Sequence, residues 1–193
     1  YEILLRIRDE QGHEVPPMAF IPAAERYNLM PMIDRWVVRN VLRRVRHIPA
    51  GLADAIWAIN ISGRSIGDEE FLAVVSDEID RAGVPGGRLC FEITETAAIT
   101  NLHRAGRFIQ LLKSRGCRFA LDDFGSGLSS FAYLKNLQVD YLKIDGGFVR
   151  DIAVDPIDRA MVEAINSVGH VMRIRTIAEF VENDDILRVL REL

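Results

Sequence analysis

Short, almost unbroken apolar runs recur along this chain at intervals that leave room for one helix between neighbours. They cover 55–61, 88–94, 118–122, 141–144 and 173–178. A strand with water on one face alternates apolar and polar residues, whereas these runs scarcely alternate, as expected of strands covered on both faces of a parallel sheet. Between them lie helical stripes: Ile33, Trp36, Val37, Asn40, Val41 and Arg44; Phe71, Val74, Val75, Ile79 and Ala82 behind a candidate N-cap at Asp68; Leu102, Ala105, Phe108, Ile109 and Leu112; and Ile157, Met161, Ala164, Ile165 and Val168. A shorter helix is expected over 129–136 and a last one over 184–193. Strand alternating with helix predicts an α/β fold with right-handed crossovers.

The 193 residues suffice for one sizeable domain. A net charge of −4 gives no basic surface for charge-driven binding to nucleic acid or membrane. Cys90 and Cys117 sit in apolar surroundings and are expected to be reduced and buried. No run is long enough to span a membrane, so a cytoplasmic domain is expected.

The strand ends carry the chemistry. Asn60, Glu92, Asp122 with Asp123, Lys143 with Asp145, and Glu179 each close a run, and Glu2 lies in a strand-like opening segment. From Asn60 the intervals to Glu92, Asp122, Lys143 and Glu179 are 32, 30, 21 and 36 residues, close to successive βα units. In a parallel barrel such ends meet on one rim, where these enzymes hold their active sites. Glu2, Glu92, Asp122, Asp123 and Glu179 would repel one another there unless cations and a lysine offset them. An all-oxygen ligand set favours Mg²⁺ or Mn²⁺ over zinc. Two such ions can generate a hydroxide and stabilise the oxygens of a phosphoryl displacement. Any one of these acids alone is better explained as a helix cap or surface charge, and a doubly wound open sheet with a metal site also fits the pattern.

The motifs resemble those of the EAL-domain family. Glu2-Ile3-Leu4-Leu5-Arg6, Asn60-Ile61-Ser62, Glu92-Ile93-Thr94-Glu95, Asp122-Asp123-Phe124-Gly125-Ser126-Gly127, Lys143-Ile144-Asp145 and Ala178-Glu179-Phe180-Val181-Glu182 follow in that family's order over the whole chain. The resemblance implies a modified TIM (β/α)8 barrel, usually dimeric, that hydrolyses cyclic di-GMP to linear pGpG with two Mg²⁺ or Mn²⁺ ions. It implies Glu2, Asn60, Glu92, Asp122, Asp123 and Glu179 as metal ligands. Lys143, Glu179, Asp123 and Glu182 would be catalytic, and Arg6 and Leu4 would contact the substrate. Glu95 would brace the loop that begins at Asp123. Because Glu95 lies three residues past Glu92, a regular strand would point the two to opposite faces. The chain departs from the family pattern at Phe180, where Gly is commoner, at Leu128, where Tyr is frequent, and at Ser126, where Thr is frequent.

Three functions fit to different degrees. An active phosphodiesterase explains the complete acid set. A silent EAL-type receptor for cyclic di-GMP would be expected to have lost ligands. An unrelated barrel metalloenzyme explains the strand-end acids but not the ordered motifs. Partner GGDEF or sensor segments are expected in a parent protein. The family's first and last strands have no counterpart in the sequence, so a barrel truncated at both ends, poorly stable and inactive by itself, is expected.

Overall fold

The structure, a computed structural model, describes residues 1–52, 54–127 and 131–193. The described chain forms two compact units, Tyr1–Glu92 with His103–Arg118, and Ile93–Leu102 with Phe119–Leu193.

The first unit contains β1 (Glu2–Ile3), β2 (Ile7–Arg8), β3 (Glu14–Val15), α1 (Pro17–Arg26), α2 (Met30–Val45), β4 (Trp57–Asn60), α3 (Gly63–Ile66), α4 (Glu69–Ala82) and most of β5 (Leu89–Thr94). After α5 (Glu95–Thr100), which belongs to the second unit, it regains the chain for α6 (Leu102–Lys113). Parallel pairing joins β1 to β4, with Glu2 opposite Ala58, and β4 to β5, with Asn60 opposite Glu92. Phe71, Phe91 and Phe108 lie fully buried, with Phe108 stacked on Phe71 and edge-on to Phe91. Burying each such ring contributes about 1.5–3 kcal/mol. Asp68 caps α4 as expected, its carboxylate accepting from the backbone of Glu70 and Phe71, and Gly83 ends the helix at φ +63°. Sequence patterning did not anticipate the β2–β3 hairpin, whose turn Asp9 holds by accepting from the amides of Gln11 and His13.

The second unit continues through β6 (Arg118–Phe124), β7 (Tyr141–Ile144), α7 (Gly146–Arg150), α8 (Pro156–Met172), β8 (Arg175–Ala178) and α9 (Asp184–Glu192). Its strands are parallel, β6 beside β7 and β7 beside β8. All four residues of β7 are buried, Lys143 among them, as expected of a strand covered on both faces. The segment expected to be helical from 129 is a 3₁₀ turn over Phe131–Asn136, and Leu128, Ser129 and Ser130 lie outside the described residues.

Two helical stripes differ from expectation. On α2 the buried face is Met30, Asp34, Val38, Val41, Leu42 and Val45, while Trp36 is 58 % exposed. On α8 it is Val162, Ile165 and Gly169, while Ile157 points outward. Cys90 and Cys117 are buried free thiols, and burial pushes the Cys117 thiol up to about 11. Among the described residues no helix is long and apolar enough to cross a membrane.

Candidate active site

Strand β6 explains how two consecutive acids can serve one site. On a regular strand Asp122 and Asp123 would point to opposite faces. Leu121 pairs with Leu142, but the next pair is Phe124 with Ile144, so β6 carries one residue more than β7. This is a β-bulge, and Asp123 takes it up at φ +52°, a conformation in which aspartate is one of the better-tolerated residues. The bulge turns both carboxyl groups toward the end of β8, where Glu179 follows Ala178. Carboxylate oxygens of Asp122, Asp123 and Glu179 then lie within 4.8 Å of one another.

Lys143 stands on β7 between them and is 5 % exposed. Its Nζ is 3.0 Å from Asp122 Oδ1 and 3.0 Å from Glu179 Oε1. One cation facing three carboxylates leaves the cluster negative. Asp123 shows the strain of it: lost hydration, then Asp122 and Asp145, raise its pKa above the ordinary aspartate value, with Lys143 opposing. Lys143 is the cation that meets Asp122 Oδ1, and it is shared with Glu179. Three carboxylates that share one ammonium form an all-oxygen ligand set that is still negative, which fits a hard divalent cation.

Glu95 is not on a strand. The ladder ends at Thr94, whose hydroxyl accepts from the Ala97 amide and caps α5, so Glu95 is the first residue of that helix. Buried there, it accepts from the Gly125 amide at 3.0 Å through Oε2 and from the Tyr133 hydroxyl at 2.5 Å through Oε1. Gly125, at φ +99°, has Phe148 and Ile165 packed where a side chain would be. The described residues at both ends of the 125–133 segment are thus tied to one carboxylate. Asp145 is a helix cap, accepting from the Gly147 amide at 2.7 Å. Glu182 stands apart from the acid cluster, exposed and 3.6 Å from Arg150.

The first unit gathers the other expected ligands. Asn60 and Glu92 are ladder partners, and Glu2 is in register with Ala58, two residues before Asn60. Period-two alternation therefore puts Glu2, Asn60 and Glu92 on one face of this sheet. Asn60 Nδ2 donates to Glu2 Oε1 at 2.8 Å, and Glu92 is buried. Leu4 and Arg6 are exposed and border a groove of about 640 Å³ whose opposite side includes Trp36, Val37 and Val41. Arg6 donates to the carbonyl of Leu5.

The description "EAL domain" matches residues 1–193, the whole chain. The chain belongs to the EAL family. As an EAL domain it is 44 % identical to cyclic di-GMP phosphodiesterase PdeB of Shewanella oneidensis over 192 residues, and 36 % identical to cyclic di-GMP phosphodiesterase PdeA of Borreliella burgdorferi. These matches take in all of the chain but 22 % and 29 % of those proteins, so it spans about a quarter of the curated relatives. Among solved structures, the EAL fold of this chain superposes on the PaMucR phosphodiesterase in complex with cyclic di-GMP with a TM-score of 0.91, at 32 % identity, covering 99 % of this chain and 78 % of that one. The FimX EAL domain from Pseudomonas aeruginosa, bound to cyclic di-GMP, gives 0.91 at 31 % identity and covers 100 % and 77 %. The modified TIM-barrel class expected of the sequence is the class of these EAL structures.

Proposed function

We propose that this chain is the catalytic domain of a metal-dependent phosphodiesterase that opens cyclic di-GMP to linear pGpG. The observation that carries the reading is the cluster at the ends of β6, β7 and β8, where the bulge brings Asp122 and Asp123 together with Glu179 around a buried Lys143. Family membership and the named phosphodiesterase relatives support it.

In this reading Asp122, Asp123 and Glu179 in the second unit, and Glu2, Asn60 and Glu92 in the first, would be ligands of Mg²⁺ or Mn²⁺, two ions in all. When bound, such ions lower the pKa of water and neutralise charge on a phosphoryl group. The chain's own residues do the rest. Lys143, held between two carboxylates, keeps its ammonium aimed at the cluster and stabilises negative charge as the phosphate is attacked. Arg6 offers a planar fork for a ligand phosphate, and Leu4 an apolar contact beside it. Glu95 holds the segment after Asp123 in place, which fixes the bulge. Glu182 supplies a further carboxylate next to the turn that carries Glu179. We also assign the domain to a cytoplasmic homodimer working beside a GGDEF or sensor domain, and the much greater length of the relatives supports additional segments.

Chromatography of cyclic di-GMP incubated with the protein tests the reading. Formation of pGpG with Mg²⁺ or Mn²⁺, its loss in chelator and its inhibition by Ca²⁺, whose larger and looser coordination spoils the geometry, are expected. Tight cyclic di-GMP binding with no pGpG under any metal condition would replace the enzyme by a receptor.

A further inference from the structure

The residue after Glu179 is strained and is wedged against a neighbouring helix. Phe180 has φ +53°, a left-handed conformation that is uncommon for a bulky aromatic residue and has to be held by its surroundings. The surroundings are specific. Gly146, the first residue of α7, has no room for a side chain, because a Cβ there would lie 2.0 Å from Phe180 Cδ2. The Arg150 guanidinium, one turn further along the same helix, lies over the ring at 4.2 Å from its centroid. Arg150 also reaches Glu182 at 3.6 Å, beyond the ring on the same turn. That ion pair is mostly exposed and contributes little. The seat on Gly146 and the cation–ring contact are therefore the main restraints.

Both partners of the latch adjoin the acid cluster. Glu179 precedes Phe180 directly, and Lys143 sits three residues before Gly146 at the end of β7. Seating the ring on α7 ties the turn after β8 to the element that follows β7. The 3.0 Å pair between Lys143 and Glu179 is the first contact this tie would hold in place.

We propose that Phe180, seated on Gly146 beneath Arg150, is a positioning residue that fixes Glu179 against Lys143 in the metal-binding cluster. The proposal rests on the phosphodiesterase reading for its effect on catalysis, but not for the latch itself. Gly146→Ala puts a methyl group where the ring sits, and Phe180→Gly removes the ring while relieving the strained backbone. Each variant and their combination are titrated with Mn²⁺ by calorimetry, melted, and assayed for pGpG. Each single change is expected to weaken Mn²⁺ binding about tenfold, the order seen when a residue that orients a ligand is lost, and to lower kcat with KM for cyclic di-GMP unchanged. Phe180→Tyr, which keeps the ring, should retain wild-type values. The double variant should be no worse than Phe180→Gly alone, because the added methyl then has nothing to displace. Wild-type Mn²⁺ affinity in Phe180→Gly, or an undiminished effect of Gly146→Ala in that background, overturns the proposal. Should the wild-type protein neither bind Mn²⁺ nor form pGpG, the functional reading fails and the latch is decided by the melts and by amide exchange over 178–182. Non-additive melting temperatures with faster exchange in each single variant uphold it, and additive ones reject it.

Discussion

Lys143 Nζ and Glu179 Oε1 lie 3.0 Å apart although 36 residues separate them, and the lysine makes an equal approach to Asp122. A buried ammonium shared between two carboxylates offsets part of their charge in the resting protein and faces any phosphate brought to the cluster. Lys143→Ala should lower kcat by about 10²–10³, the cost of removing one preorganised charge-stabilising donor, with a much smaller change in cyclic di-GMP affinity. It should also destabilise the fold by about 3–5 kcal/mol, because two partly buried carboxylates lose their counter-charge. Added Mn²⁺ should restore much of that loss in a thermal melt. A turnover equal to wild type would mean that the lysine is structural alone.

Glu179→Gln preserves shape and removes the charge. The expected result is a Mn²⁺ activation curve displaced to higher concentration by about tenfold or more, together with a lower maximal rate. A lower rate at unchanged metal dependence would assign Glu179 to proton transfer instead of metal binding.

Glu95→Ala deprives the Gly125 amide and the Tyr133 hydroxyl of their shared acceptor. Leaving a buried donor unsatisfied costs about 1–3 kcal/mol, and these two part-buried donors lie toward the low end. The melting temperature should fall, and amide exchange at Gly125 and over 131–133 should quicken. Tyr133→Phe, which removes one donor only, should give a milder version of both. Metal affinity should fall in the same order, as calorimetry would register.

Asp34 gives a pH prediction in the first unit. It is buried, and desolvation raises its pKa above the ordinary aspartate value although the Ser65 hydroxyl and the Ser62 amide donate to it. A carboxyl whose folded pKa is raised binds its proton more tightly folded than unfolded. Its contribution to stability is therefore complete below the unfolded pKa and is lost as pH rises through the folded value. Asp34→Asn removes this titration while keeping an acceptor for Ser62 and Ser65. The melting temperature of the variant relative to wild type should climb as pH rises from below to above the aspartate range, and a flat difference would contradict this.

The same aspartate shows where periodicity misleads. The inward face of α2 includes Asp34, which a hydrophobic stripe excludes, so the pattern through Trp36 and Asn40 looked better than the one actually buried. On α8 the inward Gly169 packs against Thr176 and leaves no apolar signal, while the exposed Ile157 supplies a misleading one on the outside. By contrast α6 shows its buried face plainly, because Ala105, Phe108, Ile109 and Leu112 are all apolar. Among the site residues, the strand-end acids and Lys143 were legible from their places in the chain. The bulge was not, since nothing in Leu121-Asp122-Asp123-Phe124 announces an extra residue. The helical start at Glu95 had a readable sign in Thr94, a good capping residue ahead of Glu-Thr-Ala-Ala. The Phe180 latch depends on a glycine 34 residues away and has no local sign.

The bulge in β6 makes chemistry and architecture separable by a single codon. Removing one aspartate would let β6 pair with β7 as an ordinary strand, with Phe124 still buried and the hydrogen-bonded ladder more regular than before. The remaining acid would still face Lys143 and Glu179, but three crowded carboxylates would be reduced to two. On the proposed function, one deletion there would thin the metal-binding cluster while leaving the pairing of β6 with β7 intact. Recovering the cluster would require an insertion at that one position in the ladder.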